Sequence, residues 1–318
     1  MKKPKAPKAA AAKPRFFTSS VSARRFLFRG LLVPMVIWLL LFLIIPYLQL
    51  LLYSFWTNGK FTIQHVLTLE NYMKFFTSGT GTNRPVLVLL DTLRIAVIVT
   101  VIAIILSYPL AYFINFKVQS PRAKQSLYML AIIPLWISYV MRAYSWRLIL
   151  GSSGILNALL LWLGVIHEPL NVLLYSDVSV IIAMVHIYTP YVLMPMYTAM
   201  EQIPRNLVEA SKDLGGGKIF TFFRVVFPLS LPGVITGATY AFALSMGDFL
   251  APSLLGGATS STKIANIVQQ QFGTSNNWPY GAAIAVVIFL VVISVLAVAG
   301  KIEKHFSKLD PEGGKTAV

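Results

Sequence analysis

One acidic residue, Asp248, stands in the otherwise apolar segment SMGDFLAPSLL and is the first group here that could do chemistry. Because a carboxylate at the centre of a lipid bilayer costs roughly 3 kcal/mol, it must face protein, a cavity or a partner. It could attract a cation, or it could cap a broken helix, which the following Pro252 favours. Tyr188 and Tyr191 flank a proline in another apolar segment, and aromatic faces bind cations. We therefore take Asp248, Tyr188 and Tyr191 as candidates for binding a cation, and we leave the capping role of Asp248 open.

A polar stretch, EASKDLGGGKIFTFFRVVFP at 209–228, lies between two long apolar segments. Pro204 can begin a helix because a missing N–H costs nothing in the first turn, and Gly215 can end it because glycine adopts left-handed dihedral angles freely. The apolar residues of this helix share one face: Leu207, Ala210 and Leu214. So short a helix is marginal alone in water, so we expect it to dock on a partner, with Glu209 available to a basic group. The alternative is a solvated loop, which leaves the glycine triplet and the leucines unexplained.

Other chemistry is sparse in this sequence. The four histidines are far apart and form no ligand pair at helical spacing, so we predict no metal site. Without cysteine there are no disulfides or thiolate ligands. The one candidate for a phosphate-binding loop, Gly314-Lys315-Thr316, has Leu309 where the first glycine belongs. No arrangement of a nucleophile or of paired carboxylates is present, and we predict neither catalysis nor a cofactor.

The elements that must position these residues are membrane spans. The chain has 318 residues, of which 56% are hydrophobic and 12% charged, whereas soluble domains are about 25% charged. A spanning helix needs roughly 20 apolar residues. Six segments qualify: Leu31–Phe55, Leu87–Phe116, Ser126–Leu150, Val178–Met200, Leu231–Leu255 and Tyr280–Gly300. A shorter apolar stretch, Ile155–Ile166, predicts a helix that lies in the interface or against the bundle. The fold class is therefore all-α and integral to the membrane, with one transmembrane domain at 31–300.

The basic residues alternate between the loops. Nine Lys and Arg and no acid occur in residues 1–30, and most of the others follow the second, fourth and sixth spans. Basic residues near span ends stay cytoplasmic, so we expect both termini, the loop 201–230 and the tail 301–318 in the cytoplasm. The Pro/Ala/Lys-rich residues 1–30 predict a disordered tail near anionic lipid. The net charge of +16 is thus a topology signal and does not indicate nucleic-acid binding.

Three smaller features concern charges and packing in the spans. Asp91 and Arg94 are three residues apart near one end of the second span and could pair with each other. Arg142 and Arg147 are expected to extend outward to the membrane surface. The two glycines of GVITG at 233–237 have the spacing that lets helices approach closely, a weak signal that could mark a subunit contact.

The spacing Glu-Ala-x4-Gly-x9-Val-x-x-Pro in 209–228 resembles the "EAA" loop of permease subunits of bacterial ABC importers. Ser211, Val225 and Phe227 depart from the usual residues and are small or apolar replacements. In that family the loop forms the coupling helix, which sits in a cleft of the cytoplasmic ATPase. The resemblance therefore implies ATPase coupling for five residues: Glu209, Ala210, Leu214, Gly215 and Pro228.

Most of the chain is similar to the spermidine/putrescine permeases, in particular the subunit with the longer N-terminus. Four stretches carry this resemblance: Ser107–Phe116, Gly154–Leu170, Tyr188–Met200 and Gly247–Gly257. It implies a type I importer permease in the bacterial inner membrane, working with a second permease, an ATPase dimer and a periplasmic binding protein. Iron(III), thiamine, phosphonates and opines are alternative substrates within this class. An ion-coupled secondary transporter is the other class considered, and it would be expected to show inverted repeats, which the sequence lacks.

Overall fold

The computed structural model describes residue 30 and residues 32–59, 62–79, 84–170, 174–257 and 262–307. Residues 1–50 and 51–318 form two compact units. The predicted tail at 1–30 lies outside the described residues except for Gly30, and so does the tail at 301–318 beyond residue 307. The described residues of the first unit are helical.

Twelve helices and two short strands make up the described residues. In chain order they are α1 (Leu32–Ser54), β1 (Thr57–Asn58), β2 (Ile63–Gln64), α2 (Glu70–Thr77), α3 (Pro85–Lys117), α4 (Pro121–Trp136), α5 (Tyr139–Leu150), α6 (Ile155–Trp162), α7 (Asp177–Glu201), α8 (Arg205–Asp213), α9 (Lys218–Gly247), α10 (Leu250–Leu255), α11 (Ile264–Phe272) and α12 (Trp278–Ser307). The strands pair antiparallel, with Thr57 opposite Gln64. This hairpin is the one departure from the all-α prediction among the described residues.

Six spans were predicted, and the helices agree with that number. Five helices, α1, α3, α7, α9 and α12, are long and apolar enough to cross a membrane, and α4 with α5–α6 makes a sixth if that bent pair is one span. The short helix predicted at Ile155–Ile166 is α6, at the end of that bent pair. The helical membrane fold predicted from the apolar segments is therefore confirmed.

The third span differs from the prediction of one helix over Ser126–Leu150. The helix axis bends by 90° between α4 and α5. Ile133–Trp136 forms a 3-10 turn that contains Pro134, and Ile137 is extended. Proline has no N–H and clashes with the preceding turn, so the helical hydrogen bonds cannot continue through this point. The span is thus broken near its middle.

The fifth span also differs from the prediction of Leu231–Leu255. Its helix α9 begins earlier, at Lys218, and ends at Gly247, after which α10 is a separate short helix. Pro228, in the segment expected to be a cytoplasmic loop, lies inside the continuous α9 as the second residue of its regular α-helical part, Phe227–Gly247. A π-helical turn, Phe222–Val226, precedes it, and Phe227 N–H bonds to Phe222 O. In this turn the N–H groups bond to the carbonyl five residues back, and the wider turn lies just before Pro228, which has no N–H to donate. The segment between α7 and α9 therefore covers only residues 202–217.

Helix α7 is the centre of the bundle and packs along both α3 and α9. Its contact with α9 is close because Gly233 and Gly237 face it. A Cβ atom at Gly233 would lie 2.5 Å from Ala199 Cβ and 2.6 Å from Pro195 O, and one at Gly237 would lie 2.8 Å from Val192 O. The close approach predicted from GVITG therefore joins two helices of this chain. A second apolar cluster lies between α2, α3, α9, α11 and α12 and includes Phe75, Phe242 and Ile284.

Candidate functional site

The loop that joins α7 to α9 is built around α8. Pro204 precedes the first residue of α8 and is extended. At the other end Gly215 has a φ of +83°, its N–H bonds to Lys212 O at 2.9 Å, and Gly216 N–H bonds to Ser211 O at 2.9 Å. These two bonds form a Schellman motif, in which a left-handed residue satisfies the last carbonyl groups of a helix. The start and the end of the helix predicted from sequence are both confirmed.

The same loop exposes apolar side chains. Leu214 is 90% exposed, and Glu209 and Ala210 are also exposed. The exposed large apolar residues between the start of α8 and the first turns of α9, which we call the loop surface, are Leu207, Leu214, Ile219, Phe220 and Phe223. Ser211 and Thr221 join the two helices through their hydroxyl groups at 2.9 Å. Exposed leucine and phenylalanine on a polar loop are typical of a protein-binding surface.

A second site lies where α9 ends. The Asp248 side chain is buried, and its Oδ1 accepts hydrogen bonds from the N–H groups of Leu250 at 2.9 Å and Ala251 at 3.2 Å. Its Oδ2 accepts from the hydroxyl groups of Tyr139 at 2.5 Å and Tyr188 at 2.8 Å. We call Asp248, Tyr139 and Tyr188 the Asp248 joint. It caps α10 and connects α10 to α5 and α7, so the helix break predicted at this residue is confirmed.

Tyr191 lies beside this joint. Its ring centroid is 6.5 Å from that of Tyr188, at 61° between the ring planes, and the residue is 36% exposed. The structure therefore brings all three candidate cation-binding residues together. Tyr139 appears in the sequence only as one aromatic residue among several at similar depth, and nothing in the spacing singles it out as a partner of Asp248.

A ring of four ionised side chains closes the end of the bundle opposite the loop surface. Lys263 Nζ lies 2.6 Å from Asp91 Oδ2 and 3.0 Å from Asp177 Oδ1. Arg94 Nη2 lies 2.8 Å from Asp91 Oδ1 and 3.1 Å from Asp177 Oδ2. The predicted pair of Asp91 with Arg94 is confirmed. Lys263 was missed, because no sequence pattern connects it to carboxylates 172 and 86 residues away.

Arg142 contradicts the prediction that it extends outward. Its side chain is buried, 6% exposed, and Nη1 donates to Ile187 O at 3.1 Å. Its Nε has no hydrogen-bond partner among the described residues. Arg147 is partly exposed and donates to Tyr175 OH at 3.3 Å. The bend after α4 turns Arg142 toward α7, and the sequence does not predict this bend.

Among the described residues, no three His, Cys, Asp or Glu side chains are close enough together to hold a metal ion. The chemistry of the described side chains is thus packing, capping and ion pairing within a membrane bundle, with one loop that exposes apolar residues. Such a chain has the form of a membrane component of a transport system, with a surface for another protein.

The chain belongs to the family described as the inner membrane component of binding-protein-dependent transport systems, which matches residues 107–308. It is 34% identical over 281 residues to the spermidine/putrescine transport system permease protein PotB of Escherichia coli K12, an alignment that covers 87% of this chain and 98% of that protein. The protein of the same name from Haemophilus influenzae is 33% identical over 269 residues and is 91% covered. Membership of this family confirms the resemblance found in the sequence, and it makes the chain a transport component of the inner membrane rather than an enzyme.

A solved structure shows the same fold. The crystal structure of a bacterial alginate ABC transporter, in complex with an alginate pentasaccharide-bound periplasmic protein, contains a chain that superposes with a TM-score of 0.74. The match covers 90% of this chain and 96% of that one at 18% sequence identity. The arrangement of the helices is therefore that of an ABC importer permease.

Proposed function

We propose that this chain is one of two permease subunits of an ATP-driven importer for spermidine and putrescine. The observation that carries this proposal is the 34% identity to PotB, which extends over 98% of that protein. Polyamines carry several positive charges, and the bundle contains a buried aspartate with aromatic neighbours. A second permease completes the pathway, a cytoplasmic ATPase dimer drives it, and a periplasmic binding protein delivers the substrate.

The basic loops assign the orientation in this proposal. Lys and Arg near the ends of spans stay cytoplasmic, and the end of the bundle that carries the loop 202–217 also carries Lys117, Arg122 and Lys124. The loop surface then faces the cytoplasm and docks on the ATPase. Glu209 supplies an exposed carboxylate for a basic partner. Gly215 ends α8, so that Leu214 stands 90% exposed at its tip.

The pathway runs beside the Asp248 joint. An ionised carboxylate has about four lone-pair sites, and four donors from Tyr139, Tyr188 and the start of α10 occupy them in Asp248. Asp248 therefore acts on a passing cation through its negative potential and through the position it gives to Tyr188. Tyr191 is the exposed member of the group and offers an aromatic face to the cation.

Co-purification from mild detergent tests the assembly. The tagged wild-type chain should recover an ATPase and a second permease, and membranes that contain the complex should take up labelled spermidine in an ATP-dependent reaction that putrescine inhibits. If the complex instead transported iron(III), thiamine, a phosphonate or an opine, the substrate assignment would be wrong and the proposed assembly would stand. A chain that purifies alone and moves substrate in liposomes without ATP would reject the proposal in favour of an ion-coupled transporter.

Glu209→Lys tests docking through the loop surface. We expect the variant to insert normally but to lose the ATPase from the purified complex, with uptake reduced at least tenfold, because a lysine repels the basic partner. The control is Glu70→Lys, the same substitution at an exposed position whose only ion pair among the described residues is with Lys74. That variant should retain the ATPase. Retention of the ATPase by Glu209→Lys would show that this side chain has no part in docking.

A further inference from the structure

The first turns of α9 expose three aromatic rings and a basic side chain on one side of the helix. Phe220 is 56% exposed, Phe223 61% and Phe227 37%, and Arg224 is also exposed. Steps of three and four residues separate them, so they share one side, which we call the aromatic stripe. Arg224 makes no ion pair with any described residue. The stripe is therefore an uncovered surface that carries an unpaired cation.

The opposite side of this segment is packed within the protein. Thr221 is buried, and its hydroxyl oxygen lies 2.9 Å from that of Ser211 in α8. The ring of Phe222 lies edge-on to the rings of Tyr108 and Tyr112 in α3, with centroids 5.8 and 5.6 Å apart. The aromatic stripe thus points away from both α3 and α8. It is a different face from the tip of α8.

The depth of the stripe follows from the contact between α9 and α7. Gly233 lies against Pro195 and Ala199 of α7. Phe227 is six residues nearer to the loop, about 9 Å along the helix, and is therefore level with Glu201, where α7 ends. The rest of the stripe lies further out by at most about 10 Å. Since the headgroup layer on each side of a bilayer is about 5–8 Å thick, the stripe starts at the edge of the hydrocarbon and extends through this layer.

Lipid headgroups match both components of the stripe. Aromatic rings are enriched where hydrocarbon meets headgroup. An arginine at this depth extends its guanidinium group to the phosphate oxygens, which accept paired N–H bonds. Lys218, exposed in the first turn of α9, adds a second cation nearby. A water-soluble ATPase meets α8 first, because α8 lies beyond the ends of the two spans that it connects.

We infer that the aromatic stripe binds anionic phospholipid, with the lipid phosphate on Arg224 and the acyl chains against the phenylalanine rings. The inference takes only the orientation from the proposed function, which makes this the cytoplasmic leaflet. The loop surface is then divided: its α9 part faces lipid, and its α8 part, Leu207 and Leu214, is left for the ATPase. The bound lipid fixes the depth at which α9 enters the membrane, and so the position of α8.

Spin labels in a bilayer test the depth of the stripe. The chain has no cysteine, so Phe220→Cys and Phe223→Cys each create a unique attachment site, and Leu214→Cys at the tip of α8 is the matched control. The full chain is reconstituted with phosphatidylglycerol, with and without its assembled partners. Oxygen concentrates in lipid, whereas a nickel chelate stays in water. We expect the ratio of collisions with oxygen to collisions with nickel to be at least fivefold higher at 220 and 223 than at 214.

Arg224→Gln tests the phosphate contact. We expect the phosphatidylglycerol that stays bound to the purified chain, counted by native mass spectrometry, to fall about fivefold, the contribution of one basic residue near an anionic surface. Arg224→Lys should retain most of it. The matched control is Lys212→Gln, the same loss of charge at an exposed position in α8, which should bind as much lipid as the wild type. Neither phosphatidylcholine nor inorganic phosphate should displace the bound lipid.

Four results would overturn the inference. They are labels at 220 and 223 as accessible to nickel as the control, protection of those labels by the ATPase or the second permease, an equal loss of lipid in Lys212→Gln, and displacement of the lipid by inorganic phosphate. An importer that assembles and transports while its stripe reports water rejects this surface and leaves the proposed function standing. Lipid binding needs only the purified chain, so it remains measurable if that chain recovers no partner and the proposed function fails.

Discussion

At the scale of single residues, Asp248 shows how a buried carboxylate can be accommodated with no cationic partner among the residues that the structure describes. Its two oxygens accept from two backbone N–H groups and two tyrosine hydroxyl groups. Hydrogen bonds to a charged group contribute about 1.5–3 kcal/mol, and those from Tyr139 and Tyr188 come from two other helices. The side chain therefore holds the end of the broken span in place.

Asp248→Asn should lower the free energy of unfolding by about 2 kcal/mol, because an amide makes weaker bonds and cannot accept four of them on two atoms. Tyr188→Phe should lower it by about 1 kcal/mol. Since the two residues share a bond, the loss in the double variant should be smaller than the sum of the single losses. Thermal unfolding of the purified protein in detergent measures all three.

Tyr191→Phe is the control for this comparison, because its hydroxyl group has no hydrogen-bond partner among the described residues. Its unfolding midpoint should match that of the wild type. If Asp248→Asn instead abolished spermidine uptake with unchanged stability and assembly, the carboxylate would act on the substrate through its charge and would not be needed to hold the end of the helix.

At the scale of elements, the packing of α9 on α7 depends on two glycines. Gly233 and Gly237 are four residues apart and so face the same way on a helix, and both lie against backbone atoms of α7. In lipid no hydrophobic force drives two helices together, so their association depends on close van der Waals packing of this kind. The contact also positions Tyr188 on α7 beside Asp248, which follows α9 directly.

Gly233→Ala should therefore destabilise the bundle. The added Cβ would lie 2.6 Å from the carbonyl oxygen of Pro195, so the two helices must separate, at a cost of about 1–3 kcal/mol. Gly300→Ala in α12 is the matched control, since a Cβ atom there meets nothing within 4 Å. It should leave stability unchanged or raise it slightly. An equal effect of the two substitutions on the unfolding midpoint would show that the close contact contributes nothing.

At the scale of the whole molecule, the four-residue ion ring connects segments that are far apart in the chain. It joins one end of α3, the first residue of α7 and the residue before α11. The Lys263 side chain is only 1% exposed, whereas that of Arg94 is 61% exposed. A buried ion that loses its partner costs far more than an exposed one, because water cannot replace the lost contact.

Lys263→Met should accordingly destabilise the protein by about 2 kcal/mol, since Asp91 and Asp177 are partly exposed and keep Arg94 but lose their buried counter-ion. Arg94→Met removes an exposed cation from the same carboxylates and should cost at most about 1 kcal/mol. Unfolding midpoints of the two variants, measured side by side at low and high salt, test this difference. Equal losses, or a loss in Lys263→Met that high salt removes, would contradict a buried role for Lys263.

The sequence by itself determined the structural features that depend on residues close together in the chain. The length of an apolar segment sets the number of spans. The caps of α8 follow from Pro204 and Gly215, and the contact of Asp91 with Arg94 follows from their spacing on one helix. The family resemblance rests on the same kind of local pattern, and both the spans and the family are confirmed.

Only the tertiary structure decided which distant groups meet. Tyr139 and Tyr188 lie 109 and 60 residues from Asp248, and their contact depends on how three helices pack. The 90° bend of the third span depends on the same packing, since proline only removes a hydrogen bond and the surroundings decide where the chain then turns. The buried positions of Arg142 and Lys263 follow from that packing. A local pattern carries no information on them, because it does not record which face of one helix meets which face of another.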